Sequence, residues 1–117
     1  MHRLTRTPPV ESNGVMSVMV VLRIPVDAAG MERAANEHHD LMVGIADRAK
    51  GYGAIHHDFY EGDGEVIVVD EWGTSEQFNS FFEAEGENIG QLMGAAGIQG
   101  APAAPTFHRK MSLGDQF

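Results

Sequence analysis

The dipeptide Asp63-Gly64 stands between two strand-like segments and limits the folds open to this chain more than any other feature of its sequence. Asp-Gly strongly favours the two-residue turn of a β-hairpin. The flanking segments are rich in β-branched and aromatic residues, which favour strands. We therefore predict an antiparallel hairpin with strands near Ala54–Glu61 and Glu65–Gly73.

The register of this hairpin decides what its two adjacent histidines, His56 and His57, can face. Neighbouring residues on a strand point to opposite sides of the sheet, so the two side chains lie in different environments. A two-residue turn pairs Gly62 with Glu65. Counting outward then pairs Phe59 with Val68, His57 with Asp70 and Ile55 with Trp72. A three-residue turn through Gly62 would instead place Asp70 opposite His56.

The rest of the chain alternates between strand-like and helix-like patterns. Thr74 can cap the second helix, because Gln77 follows it at the spacing of a capping box. The predicted elements are a strand at Val15–Ile24, a helix from about Ala28 to Lys50 that Gly51 ends, a second helix from Thr74 that is interrupted at Glu83–Glu87, and a last strand at Thr106–Met111. The order β-α-β-β-α-β predicts a ferredoxin-like α+β fold, an antiparallel sheet with helices on one face.

The chain length and the composition of its ends predict a single domain. A chain of 117 residues is long enough for one modest core. Residues 1–14 are polar and contain Pro8-Pro9 and Asn13-Gly14, so we expect a flexible arm there. The domain then covers residues 15–112, and residues 113–117 form a polar tail.

The first strand is apolar on both of its faces, which points to a partner. Its two sets of apolar residues are Val18, Val20, Leu22 and Ile24 on one side and Met19 and Val21 on the other. A strand that is apolar on both faces needs cover on both, and the helices can supply only one cover. We therefore predict a homodimer in which the sheet faces of two copies pack together.

Charge and composition exclude several classes of function. The chain has 17 acidic and 8 basic side chains and a formal net charge of −9, which repels nucleic acids and anionic membranes. It has no cysteine, so disulfides, thiolate metal sites and cysteine nucleophiles are excluded. No apolar run approaches the ~20 residues that span a bilayer, and no signal-peptide core follows the basic N-terminus. We expect a cytoplasmic protein without nucleic-acid or membrane partners.

The predicted cross-strand pair of His57 and Asp70 is the main candidate for chemistry. A carboxylate beside an imidazole raises the pKa of the histidine and orients its ring, which suits a general base or a proton relay. The alternative is structural, because such a pair can simply satisfy two half-buried polar groups within the sheet.

His38 is the second catalytic candidate, since it falls on the apolar stripe of the first predicted helix and should point between helix and sheet. A satisfied core histidine is the commoner alternative. Together with His57 and Asp70 it would form a two-histidine-one-carboxylate set, which is the basis of a weaker hypothesis of a non-haem metal site. No zinc signature occurs, and we predict neither a metal nor a cofactor.

The segment Val66–Phe82, VIVVDEWGTSEQFNSFF, ends a strand in an acidic-Trp pair and leads into a Ser/Thr-capped, Phe-rich helix. With this motif and the predicted topology, the chain resembles the dimeric α+β barrel superfamily and, within it, the antibiotic-biosynthesis-monooxygenase-like group. Its ending, TFHRKMSLGDQF, is similar to that of small uncharacterised actinobacterial proteins of this type. Superfamily members place a small, often flat ligand between the sheet and the helices of each subunit.

The resemblance implies a small-molecule enzyme, either a cofactor-independent monooxygenase or an isomerase, acting on an aromatic or polyketide-like compound. His57 or His38 would move a proton and Asp70 would orient the base. The residues that would hold the ring are Trp72, Phe81, Phe59 and Met42. Haem degradation is not expected, because the required asparagine, tryptophan and histidine are absent from the matching positions. The alternative is a non-catalytic binding or interaction protein, in which the dimer barrel has a structural role and catalyses no reaction.

Overall fold

The computed structural model describes residues 17–117 of the chain. Its elements are β1 (Val18–Ile24), α1 (Ala28–Glu37), α2 (His39–Tyr52), β2 (Ala54–Glu61), β3 (Val66–Trp72), α3 (Ser75–Ala84), α4 (Gly86–Ala96) and β4 (Thr106–Arg109). The strands form one antiparallel sheet in the order β2-β3-β1-β4. This topology confirms the predicted ferredoxin-like α+β fold. The arm predicted at residues 1–14 lies outside the described residues.

The hairpin of β2 and β3 has the register that its turn predicts. The N–H of Gly62 donates to the carbonyl oxygen of Glu65 over 2.8 Å. Gly64 adopts a φ of 71°, a left-handed conformation that glycine takes without strain. His57 consequently lies opposite Asp70, as predicted.

The predicted pairing is wrong at the far end of the hairpin. Ala54, rather than Ile55, lies opposite Trp72, because a register shift interrupts β2 between Ala54 and His56. The extra residue of such a bulge loses its place in the ladder. The Ile55 side chain is accordingly 57% exposed instead of covering Trp72.

The long first helix that the sequence predicts is two helices joined at His38. This residue has φ −124° and ψ 45°, outside the helical region, and separates α1 from α2. The chain also stays helical beyond Gly51, and Gly53 ends α2 in a left-handed conformation with φ 119°. No glycine or proline stands at His38, so composition did not signal this break in the helix.

The second helical segment begins and divides where the sequence predicts. The side chain of Thr74 accepts a hydrogen bond from the backbone N–H of Gln77, and the Gln77 side chain accepts one from Thr74. The segment divides at Glu85 into α3 and α4. The last strand is shorter than predicted, since it ends at Arg109. None of the helices formed by residues 17–117 is long and apolar enough to cross a membrane.

The helices cover one face of the sheet and leave the other open. Burial alternates along β3, whose buried residues are Val66, Val68, Asp70 and Trp72. These residues share a core with side chains from all four helices. The opposite face carries Met19 and Tyr60, which are 42% and 55% exposed.

Candidate functional site

A cavity of about 330 Å³ lies between the covered face of the sheet and the helices. Its wall is almost entirely apolar and is built by α2, α3, α4 and the three strands β1, β2 and β3. Representative wall residues are Leu22, Met42, Phe59, Phe81, Ile89 and Leu92. A mostly apolar cavity with few polar groups is typical of a site for a small organic molecule.

The partly exposed wall residues mark the mouth of this cavity. Val43 on α2 and Phe59 on β2 are 41% and 37% exposed. Among the strands formed by residues 17–117, β2 is an edge of the sheet and has no neighbour on this side. The cavity therefore opens between α2 and β2.

His57 and Asp70 are the polar side chains of the cavity wall. Nδ1 of His57 lies 2.6 Å from Oδ1 of Asp70, and the Asp70 side chain is buried. The ring of Phe59 meets the His57 ring edge to face, with 5.0 Å between centroids. The bulge before His56 leaves this pairing intact, because the ladder from His56 to Glu61 keeps one register.

The hydrogen bond to Asp70 raises the pKa of His57 above its ordinary value. Partial burial of the ring opposes this shift, while the negative charges of Asp70 and Asp58 add to it. The pair thus favours the charged imidazolium, although the His57 side chain is only partly buried, being 39% exposed. Such a histidine can take up a proton inside an apolar cavity.

Trp72 is fully buried next to Asp70 and is not part of the cavity wall. Its Nε1–H donates to Oδ2 of Asp70 over 3.1 Å. Phe78 and Phe81 pack against the indole with centroid distances of 5.5 and 5.2 Å. The full burial of Trp72 follows from this aromatic cluster between β3 and α3.

The other predicted site residues divide into two groups. Met42, Phe59 and Phe81 line the cavity together with His57 and Asp70. His38 does not line it, because it joins α1 to α2 instead of lying on the inner face of one continuous helix. Within residues 17–117 no group of three or more His, Asp or Glu side chains could hold a metal ion. The metal hypothesis that combined His38 with His57 and Asp70 therefore has no geometric basis.

An ion pair that the sequence analysis missed ties α2 to the junction of α3 and α4. Nε and Nη2 of Arg48 contact the two carboxylate oxygens of Glu85 at 2.8 and 2.9 Å. This contact lowers the pKa of Glu85 below its ordinary value. Gly44 makes room for it, since a side chain there would crowd the Arg48 guanidinium. No local sequence signal indicates this pair, because Glu85 lies 37 residues from Arg48 along the chain.

Comparison with known proteins identifies the fold. No protein-family model and no curated protein matches this chain. Among solved structures, it is similar to a monooxygenase of Streptomyces coelicolor in complex with the ligand nanaomycin D, at 15% identity over 83% of this chain and 89% of the other, with a TM-score of 0.62.

Two further structures share the fold. A dimeric ferredoxin-like protein of an uncultured marine organism is 12% identical over 80% of this chain and 85% of its own, with a TM-score of 0.54. An antibiotic biosynthesis monooxygenase is 9% identical over 82% and 98%, with a TM-score of 0.50. These likenesses confirm that the chain has the fold of antibiotic-biosynthesis-monooxygenase-like and dimeric ferredoxin-like proteins.

Proposed function

We propose that this protein binds a small aromatic compound in the cavity under its helices and moves a proton on that compound at His57. The observation that carries the proposal is the 2.6 Å contact between His57 Nδ1 and Asp70 Oδ1 in an otherwise apolar wall. A single polar pair in such surroundings gives a bound compound one place at which to exchange a proton.

The chemistry of the pair assigns a role to each atom. An ionised carboxylate can only accept hydrogen bonds, so Nδ1 of His57 donates to Asp70. In the neutral ring the lone pair then resides on Nε2, which is the basic atom. Nε2 can accept the proton of a phenolic hydroxyl or of an acidic C–H, and Asp70 stabilises the imidazolium that forms.

Loss of a proton leaves an electron-rich anion of the bound compound. Return of the proton from His57 to a different atom would isomerise the compound, and reaction of the anion with molecular oxygen would oxidise it. We therefore favour an isomerase-like or cofactor-independent monooxygenase-like reaction. The shared fold of a monooxygenase that binds nanaomycin D supports an aromatic or polyketide-like ligand.

A panel of bicyclic and tricyclic phenols tests this proposal. Trp72 is the single tryptophan of the chain and packs on Phe81, a residue of the cavity wall, so its fluorescence should report binding. We expect saturable fluorescence changes, and conversion of at least one bound phenol measured by absorbance and oxygen uptake. Binding without any conversion would favour the non-catalytic alternative, and a panel without any binding would contradict the proposed site.

We also propose that two copies of the chain join through the open faces of their sheets. This face presents the apolar side chains of Met19, Tyr60, Val21, Ile67 and Val69, all partly or largely exposed in the single chain. Exposed apolar patches of this kind mark interaction surfaces. The fold shared with a dimeric ferredoxin-like protein supports the same arrangement here.

Light scattering at micromolar concentration should return twice the chain mass of 12.7 kDa. A stable interface of this type buries more than ~1,200 Å² in total. Val21→Glu should produce a folded monomer, because it places an unpaired charge in the middle of the open face. A monomeric wild-type protein would contradict the proposed dimer.

A further inference from the structure

We propose that Trp72 is a positioning residue of this site. Its indole N–H holds one oxygen of Asp70, and the other oxygen of Asp70 then fixes the His57 ring with Nε2 toward the cavity. The chemical purpose of this arrangement rests on the function proposed above. The contacts that support it do not depend on any substrate.

Both carboxylate oxygens of Asp70 are engaged by side chains on the covered face of the sheet. Oδ1 lies 2.6 Å from Nδ1 of His57, and Oδ2 accepts a 3.1 Å hydrogen bond from Nε1 of Trp72. The terminal torsion of an aspartate is broad, so a carboxylate held at one oxygen can turn. The second contact removes this freedom and keeps Oδ1 aimed at His57.

The indole itself is held firmly enough to serve as a fixed donor. Trp72 is 0% exposed, and the rings of Phe78 and Phe81 lie against it. It cannot reach a compound in the cavity, because it does not line the wall. Trp72 can therefore affect the proposed reaction through its bond to Asp70 or through its packing on Phe78 and Phe81, and the variants below separate the two routes.

Packing alone does not require a tryptophan at this place. A phenylalanine could fill much of the same space, but it would supply no donor, whereas a buried indole N–H needs a hydrogen-bond partner. Asp70 and Trp72 are two residues apart on β3 and so share a face. This spacing lets the indole of Trp72 reach back along β3 to the carboxylate.

On the covered face of the sheet, His57 is the titrating group in contact with Asp70. On the open face, Asp70 borders a second cavity whose titratable or charged residues are His56, Glu71, His108, Arg109 and Lys110. Val20 of β1 lies opposite Asp70 and is apolar, as is the part of the cavity wall that α2, α3 and α4 supply. Asp58 also raises the pKa of His57, but it lies on β2 opposite Val69, on the other face of the sheet. A change of charge at His57 should therefore be transmitted by Asp70 to Trp72.

The indole N–H resonance of Trp72 tests this link directly, since a chain with one tryptophan gives one indole signal in a ¹H–¹⁵N spectrum. We expect this signal to shift with pH and with the same midpoint as the His57 ring. His57→Gln should remove the shift and leave the signal itself in place. The proposal would be overturned if the chemical shift of the indole N–H did not change as His57 titrates, or if the same pH-dependent change persisted in His57→Gln.

The tautomer of His57 supplies a second readout that a purely structural tryptophan would not control. Long-range ¹H–¹⁵N spectra above the pKa of His57 should show the Nδ1–H form in the wild-type protein. Trp72→Phe should transfer population to the Nε2–H form, because Asp70 then turns more freely. Phe78→Leu is the matched control, since it loosens the same aromatic cluster and keeps the donor.

Equal tautomer changes in Trp72→Phe and Phe78→Leu would show that packing alone matters and would overturn the proposal. Should Trp72→Phe fail to fold, the titration in the wild-type protein and in His57→Gln still decides. Neither measurement uses a substrate, so a failed phenol screen and a failed Trp72 link are distinguishable results.

Discussion

Replacing His57 with glutamine should lower the rate of the proposed conversion by about 10²–10⁴-fold, which is the usual contribution of a positioned acid–base group. Glutamine keeps an N–H that can reach Asp70, so the buried carboxylate retains a partner. It has no basic nitrogen and cannot take up a proton. We therefore expect turnover to fall while the thermal unfolding midpoint stays close to that of the wild-type protein.

His56→Gln is the matched control, one residue away and on the opposite face of the sheet. The His56 side chain is 68% exposed, and its Nε2 lies 2.7 Å from a carboxylate oxygen of Asp58. The same chemical change there should leave the rate within a few-fold of wild type. Equal losses in both variants would contradict the assignment of His57. An unfolded His57→Gln protein would favour a structural role for the pair.

The pH profile of the same conversion is a second readout of this assignment. A base acts in its neutral form, so the rate should fall as the pH drops through the pKa of His57. That pKa is raised chiefly by the hydrogen bond to Asp70, so the midpoint should lie above the ordinary histidine value of about 6.5. Asp70→Asn should move the midpoint downward, because the carboxylate no longer stabilises the imidazolium.

The sequence predicted this pair correctly because its register depends on local turn chemistry. Asp63-Gly64 places Gly62 opposite Glu65, and strand periodicity carries that register as far as His57 and Asp70. The capping box of Thr74 was equally local and was also predicted. In each case the determining contacts lie within a few residues along the chain.

The predictions that the structure corrects are the pairing of Ile55 with Trp72 and the single long first helix. No glycine or proline lies at Ile55, where the bulge occurs, or at His38, where the helix breaks, so composition did not signal either feature. Trp72 was predicted to hold a ligand, but an aromatic residue beside a site can belong either to the cavity wall or to the hydrophobic core. Its burial by α3 and its bond to Asp70 assign it to the core, and periodicity could not distinguish the two.

The other large expected effect is on the stability of the fold, and it arises where helices α1 and α4 approach closely. Gly30 of α1 is buried against α4, and a Cβ added to it would overlap the backbone carbonyl oxygen of Ala96. A carbonyl in a helix cannot move aside as a flexible side chain could. The helices α1 and α4 would therefore have to separate to accommodate any side chain at Gly30.

Gly30→Ala should lower the free energy of unfolding by about 1–3 kcal/mol, the usual cost of overpacking a core. This result opposes helix propensity, since replacing glycine with alanine inside a helix ordinarily gains up to about 1 kcal/mol. Gly90→Ala on α4 is the matched control, because Gly90 is exposed and a Cβ there meets no atom within 4 Å.

The same substitution should therefore change stability in opposite directions at the two positions. Urea unfolding at one protein concentration measures both, which is necessary because the stability of the proposed dimer would depend on concentration. We expect Gly90→Ala to raise the unfolding midpoint and Gly30→Ala to lower it. If both variants were stabilised, α1 and α4 could not lie as close as Gly30 and Ala96 require, and the cover that these helices give to the sheet would have to be looser than the structure shows.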